Sequence, residues 1–202
     1  MADQLVQVGE LPLALLMGVL GVVMLFDAVP LFGVLVPGDV VVLAAVALGN
    51  PTTGVATFVA TVTGCLAGWS LSFLVGRRWG DQLRHSRFGG WVGEDRWVAA
   101  ERILLRNGGR LVLVAPFLPV FNALLPLAAG GLHMSYRRFL CFAALGAAAW
   151  AGLYLVAGTA SRSVAGLLPA GASPLPFTMV GGLLVAAAVL LGTRRRLRKI
   201  TD

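Results

Sequence analysis

An all-α polytopic membrane protein, with about four transmembrane helices and two opposed re-entrant helical hairpins in an inverted repeat, is the fold class this 202-residue sequence predicts. Three observations predict it. The chain is 58% hydrophobic and 12% charged, with a mean hydropathy of +0.86, whereas soluble domains carry about 25% charged residues. Basic residues cluster between apolar runs, and their placement makes one apolar run begin and end on the same side of a membrane. Two apolar runs, one in each half, are interrupted by Pro and Gly, the pattern of paired broken segments in inverted-repeat transporters.

The elements follow in order. Leu11 to Phe26 is smooth but has only 16 residues, about 24 Å as a helix, and reads as a short span. Asp27, Pro30, Gly33, Pro37, Gly38 and Asp39 then interrupt the run before Val40 to Leu48 resumes, so 27–49 is expected to be a hairpin entering from outside. The turn Asn50-Pro51-Thr52-Thr53-Gly54 has no basic residue and can lie outside; Val55 to Val75 crosses inward, closing a first half at 11–76.

Residues 77–110 carry eight arginines against Asp81, Glu94, Asp95 and Glu101 and are expected to form a cytoplasmic connector. Within it, Glu94 to Asn107 reads as an amphipathic helix: acids at its start, Arg102 and Arg106 near its end, and Gly108-Gly109 as its stop. Its apolar face, Trp97, Ala100 and Leu104, is expected to lie at the membrane interface.

Leu111 to Met134 lies between this connector and Arg137-Arg138, so both its ends are cytoplasmic and a single crossing is excluded. Pro116, Pro119 and Pro126 also argue against one unbroken helix, and the segment 111–134 is expected to be a second re-entrant hairpin. Its expected breaks are Pro119, Pro126 and Gly130, as Pro30, Pro37 and Gly38 are those of the first. Residues 139–160 and 175–192 are the remaining spans, with Ser161 to Pro174 outside. The run Arg194, Arg195, Arg196, Arg198, Lys199 places the tail 193–202 in the cytoplasm. The whole of 1–202 is thus read as a single membrane domain.

The net charge of +7 would suggest a nucleic-acid partner in a soluble chain, but here it sets orientation, and no nucleic acid is expected. Asp3 and Glu10, with no basic residue beside them, lack the basic start of a cleaved signal peptide, and the first apolar run is expected to stay in the mature chain. Cys65 and Cys141 sit in apolar runs and are expected to be small buried hydrophobes. Gly18, Gly21, Gly64, Gly68, Gly146 and Gly152 suit close helix approach. Lys199 is the sole lysine; the arginine bias beside abundant Ala, Gly and Val points to a GC-rich bacterial genome, and so to a bacterial plasma membrane. No catalytic residue, metal ligand set or cofactor is read from the chain.

Asp27 and Asp39 are the carboxylates inside the apolar segments. An acid at bilayer depth costs about 2.5–3.5 kcal/mol unless neutralised, paired or hydrated, so such residues mark function. They are expected to carry protons as a conformational cycle exposes first one side and then the other; the competing reading is that each caps a half-helix. Arg77, at the foot of a span, can act as a positive-inside anchor. His85 and His133 are isolated.

The strings Phe26-Asp27-Ala28-Val29-Pro30 and Val36-Pro37-Gly38-Asp39 resemble the first re-entrant motif of the DedA family, also called the VTT-domain or SNARE-associated Golgi protein family. Phe73-Leu74-Val75-Gly76-Arg77 with Gly80 is similar to the family's tyrosine-x-x-Gly-Arg-x-x-Gly. Phe117-Leu118-Pro119, Pro126, Ala129-Gly130, Met134 and Phe139 resemble its second re-entrant motif, and Gly146, Trp150 and Gly158 match the following span. Where the family usually has two membrane arginines, this chain has Pro116 and Asn122; it also has Phe73 for tyrosine and Asp27 and Asp39 for glutamates.

The resemblance implies proton-coupled movement of an anionic lipid, an undecaprenyl (polyprenyl) phosphate or a phospholipid, with Asn122 and Arg77 as substrate-binding residues and a homo-oligomer allowed. A phosphate wants cationic or N–H donors, and Asn122 brings an amide without a full charge. Three other readings compete: a small-ion or proton antiporter; a degenerate paralogue acting as a membrane partner protein; and an intramembrane aspartyl protease, disfavoured because its two acids should come from neighbouring spans.

Overall fold

The computed structural model describes residues 13–29, 38–49, 51–117 and 121–165. Pro30, Pro37, Pro119, the expected span 175–192 and the basic tail 193–202 lie outside the described residues. Among the described residues every regular element is helical. We label them α1 (Leu13–Asp27), α2 (Gly38–Leu48), α3 (Pro51–Arg84), α4 (Arg87–Val92), α5 (Glu94–Asn107), α6 (Arg110–Val114), α7 (Phe121–Gly131) and α8 (Tyr136–Ala165). A 3-10 turn, Ala115–Phe117, follows α6. Thr53–Arg84 and Tyr136–Ala160 are long and apolar enough to cross a membrane.

The long helix α3 organises the rest because one of its ridges is small throughout. Ala56, Ala60, Gly64, Gly68, Ser72 and Gly76 recur at every fourth position and are all buried, so neighbouring backbones can approach closely. A Cβ at Gly64 would lie 2.5 Å from the Gly21 carbonyl oxygen, and one at Gly68 would lie 2.5 Å from that of Leu25. Gly146 on α8 is equally tight, 2.7 Å from the Leu113 oxygen, whereas Gly18 faces open space and Gly152 meets only Phe58 at 4.0 Å.

Contact order fixes the running directions. Gly21 meets Ala60 and Gly64, Leu25 meets Gly68, and Ala28 meets Ser72, so α1 runs parallel to α3. Tyr136 lies by Ser70 and Phe73, Gly152 by Phe58 and Leu155 by Gly54, so α8 is antiparallel to α3. Asp39 meets Tyr154 and Val46 meets Gly158, so α2 runs with α8, back along the path of α1. In the second half the order inverts: Gly109 against Phe142 and Leu113 against Gly146 set α6 along α8, and Asn122 against Trp69, Leu127 against Gly76 and Gly131 against Gly80 set α7 along α3.

Each half is therefore an outgoing arm, a returning arm and a long helix. The first pair of arms opens toward the Pro51 end of α3 and the second toward its Arg77 end. Their turns arrive at neighbouring positions of α3, Ala28 at Ser72 and Asn122 at Trp69.

Several sequence expectations change. Leu13–Asp27 has 15 helical residues, about 22 Å, and runs along α3, while the described part of the expected 27–49 hairpin is the single helix α2, which runs back. Pro126 and Gly130 are not breaks, since both lie inside α7. Pro126 has no N–H to return to the Asn122 carbonyl, but packing against α3 holds the helix across it. Trp97, Ala100 and Leu104 share one face as expected, yet that face is buried inside the protein and the connector packs on α7, so it is not presented to lipid. Cys65 is buried but Cys141 is exposed.

The connector helix matches its expected bounds, Glu94–Asn107, and ends at Gly108 with φ 60°, a conformation open to glycine. Arg84, at the end of α3, ties it down. Its Nε donates to the two Glu94 carboxylate oxygens at 3.1 and 3.2 Å, its Nη2 donates to Glu94 as well, and its Nη1 donates to both Glu101 oxygens at 3.1 Å. The guanidinium's hydrogen bond holds the Glu94 carboxyl below the usual glutamate range. The contribution of this pair is thus present above the ordinary glutamate pKa and is lost as pH falls through the depressed value. Exposed pairs are weak; Arg84→Ala is expected to lower the thermal midpoint in detergent by only ~1–2 °C. Melts of the variant and wild type at neutral pH and near pH 3 check it: the difference should shrink in acid and in high salt.

Candidate functional site

The two hairpin turns bring together residues far apart in sequence. Asp27 closes α1 and is half-buried. Its Oδ1 accepts the Gly38 backbone N–H at 3.3 Å, so it serves the first turn of α2 from eleven residues upstream. Gly38 is required for that approach, because a Cβ there would lie 2.7 Å from the Asp27 carboxyl carbon and oxygen. Asp39 follows in the first turn of α2, is exposed, and lies near the Tyr154 hydroxyl of α8. The two carboxylates lie within electrostatic range of each other, and of the buried Cys65 thiol on α3. Tyr154 is itself fixed by Trp150, whose ring centroid is 4.5 Å away.

On the facing turn, the Trp69 indole N–H donates to Asn122 Oδ1 at 3.1 Å. An indole only donates, so the amide oxygen must face Trp69, and the two Asn122 N–H donors point elsewhere. The Ser72 hydroxyl donates to the Ala28 carbonyl at 3.3 Å, pinning the first turn to the same stretch of α3. Both returning arms, α2 and α7, start at these turns. Their N-terminal ends, each with the positive pole of its helix dipole, therefore lie near the Trp69–Ser72 stretch of α3, a setting that favours an anion.

Arg77 is elsewhere. It lies more than two helical turns beyond Trp69, exposed, beside a kink where Trp79 leaves helical geometry with φ −134° and ψ 20°. Arg77, Arg78, Gln82 and His133 help line a cavity of about 240 Å³ there, with Asp81 as its carboxylate. His133 adopts φ 54° after α7, its N–H bonded to Gly130 and that of Met134 to Ala129. This is a glycine-type helix ending.

The arrangement brings Asp27, Asp39 and Gly38 together, sets Asn122 at the opposing turn, and leaves Arg77 at the basic end of α3. The sequence singled out none of Tyr154, Ser72, Cys65 or the Trp69–Asn122 bond as partners of the site. Tyr154 is 115 residues from Asp39 and carries no local signal.

The family model described as the VTT domain matches residues 36–160. Protein DedA of Escherichia coli is 26% identical over 126 residues, covering 60% of this chain and 58% of its own length. Uncharacterised membrane proteins of Mycobacterium tuberculosis and Mycobacterium bovis are 31% identical over 128 residues, 59% of this chain and 58% of theirs. The chain thus spans less than two thirds of the length of the curated relatives it matches. No solved structure matches.

Proposed function

The chain belongs to the VTT-domain family of membrane proteins, and from that premise we propose that it moves an anionic amphipathic lipid of the polyprenyl phosphate class across a bacterial plasma membrane, with Asp27 and Asp39 carrying the coupling protons. One observation carries the reading: two helical hairpins open toward opposite ends of α3, both aspartates flank the break between α1 and α2, and the two breaks reach α3 three residues apart, at Ser72 and Trp69. Broken helices meeting from opposite sides are how transporters place a site at the membrane midplane.

In this reading the hairpins are re-entrant, the Arg77 end of α3 is cytoplasmic, and the site opens alternately to the two faces. The N–H donors of Asn122 and the α7 N-terminus hold the phosphate at mid-depth, while Arg77 and its cavity receive it at the cytoplasmic interface. A carboxylate in hydrocarbon is costly, so each aspartate crosses the occluded stage as the neutral acid and releases its proton on the other side. No covalent chemistry is assigned to the chain.

The test uses the full chain in proteoliposomes loaded with headgroup-labelled polyprenyl phosphate, reading label accessibility over time. Asp39→Asn is expected to slow flipping at least tenfold while the protein stays monodisperse. Flipping at the wild-type rate removes Asp39 from the mechanism, and pH-gradient decay without lipid movement identifies an antiporter instead.

A further inference from the structure

Seven consecutive residues of α3, Gly76 to Gln82, line one cavity of about 240 Å³ together with Gly131 and His133, where α7 ends. On a regular helix seven residues make nearly two turns and face every direction. They share a cavity here because α3 leaves helical geometry at Trp79, with φ −134° and ψ 20°. Gly80 and Gly131 bring the two backbones together at that point: a Cβ at Gly80 would lie 3.2 Å from the Gly131 Cα.

The kink also decides the charge. Arg77 and Asp81, like Arg78 and Gln82, are four residues apart, the spacing at which side chains on a regular helix pair. Trp79 interrupts the helix between them, and the side chains of Arg77 and Arg78 make no hydrogen bond or ion pair among the described residues. Arg84, past the kink on the same helix, holds Glu94 and Glu101, so unpaired guanidiniums are particular to the cavity. Its lining thus offers two guanidiniums and the Gln82 amide as donors, with Asp81 as the opposing carboxylate. A guanidinium forks onto two phosphate oxygens. A phosphomonoester brings three terminal oxygens and close to two negative charges at neutral pH, one for each arginine. A phosphodiester brings one charge and leaves the second guanidinium unmatched. Trp79 is exposed, and indoles at helix ends sit at the headgroup level of a bilayer, which gives the end group of a lipid access to the cavity.

We infer that the cavity at the α3 kink is a phosphomonoester site, in which Arg77 and Arg78 together take a terminal phosphate and select it over a phosphodiester headgroup. The inference deepens the transport reading given above and rests on it for the lipid source alone, since the same chemistry fits the terminal phosphate of a lipid or free phosphate from solution. It gives the chain a reason to prefer a polyprenyl phosphate to an ordinary phospholipid, whose phosphate is a diester. Asp81 opposes the anion and sets an upper limit on its affinity.

The experiment titrates the full chain in detergent with three probes: inorganic phosphate, a short-chain polyprenyl phosphate, and the methyl ester of that polyprenyl phosphate, which is a diester. Wild type is compared with Arg77→Gln, Arg78→Gln and Asp81→Asn. The monoester lipid is expected to bind wild type about tenfold or more tightly than its methyl ester. Each arginine variant should weaken monoester binding about tenfold and erase the preference, with the thermal midpoint unchanged because neither side chain holds the fold together. Asp81→Asn should tighten monoester binding at least twofold, a gain that damage to the fold cannot produce. Inorganic phosphate that binds wild type and is weakened by the same variants adds free phosphate as a source; arginine-dependent binding of the lipid alone assigns the site to the headgroup, and either result upholds it. Equal binding of monoester and diester, or arginine variants that bind the monoester as wild type does, overturns the site and leaves Arg77 and Arg78 as orientation anchors. Flipping of labelled lipid in proteoliposomes is read in parallel. A wild type that flips lipid without a monoester preference in binding fails the site and spares the transport reading, whereas one that selects the monoester and flips nothing keeps the site and fails that reading.

Discussion

Gly76→Ala is expected to destabilise the protein by about 3 kcal/mol, the upper part of the range for overpacking, and to leave a large fraction misfolded. The added Cβ would land on the Leu127 carbonyl, with that carbonyl's carbon at 2.8 Å. The contact is reciprocal: a Cβ at Gly130 would land on the Phe73 carbonyl and come within 2.8 Å of the Arg77 nitrogen. Backbone cannot rotate out of the way as a side-chain end can, so α7 would have to lift off α3, taking Asn122 away from Trp69. Gly18→Ala supplies the contrast, because Gly18 sits inside α1 with nothing within 4 Å. There the same change should stabilise by about 0.5–1 kcal/mol through helix propensity alone. Thermal midpoints and size-exclusion profiles of the two variants in one detergent check the opposite signs. A Gly76→Ala protein with the wild-type midpoint would mean that α7 does not pack here.

The parts of this fold that were legible in the sequence are those set by local charge and by counting. Glu94 to Asn107 announced both its ends, through acids at one and Gly108 at the other. The out-and-back course of 111–134 followed from having arginines on both flanks, and the contacts of α6 and α7 run in that order. What failed needed knowledge of the neighbour. The stripe Trp97, Ala100, Leu104 was correctly seen as apolar, but amphipathicity does not say whether protein or lipid covers it. Pro126 was read as a break from its chemistry, and the glycine contacts that hold α7 across it are with a helix about fifty residues upstream. At the site, the two aspartates stood out because acids are rare in apolar runs.

Asp27→Asn should separate the two roles that its geometry permits. As a cap, Asp27 matters through one oxygen, the Oδ1 that accepts the Gly38 N–H. Asparagine keeps a carbonyl oxygen able to accept the same bond, so a purely capping residue would tolerate the exchange with little change in stability or rate. As a proton carrier, Asp27 matters through a carboxyl that gains and loses a proton, and an amide cannot do that at any physiological pH. Lipid flipping in Asp27→Asn is therefore expected to fall at least tenfold with the thermal midpoint nearly unchanged. Asp27→Leu should do both: it removes the proton site and also the acceptor for the first turn of α2, at a cost of about 0.5–2 kcal/mol, the range for a lost helix cap. The two variants should thus share their transport defect and differ in their melting. If Asp27→Asn flips lipid as fast as wild type while Asp27→Leu melts early, Asp27 is a cap and Asp39 alone carries the charge. If both variants melt early and equally, the bond to Gly38 depends on the negative charge itself, and Asp27 must remain ionised for the first hairpin to close.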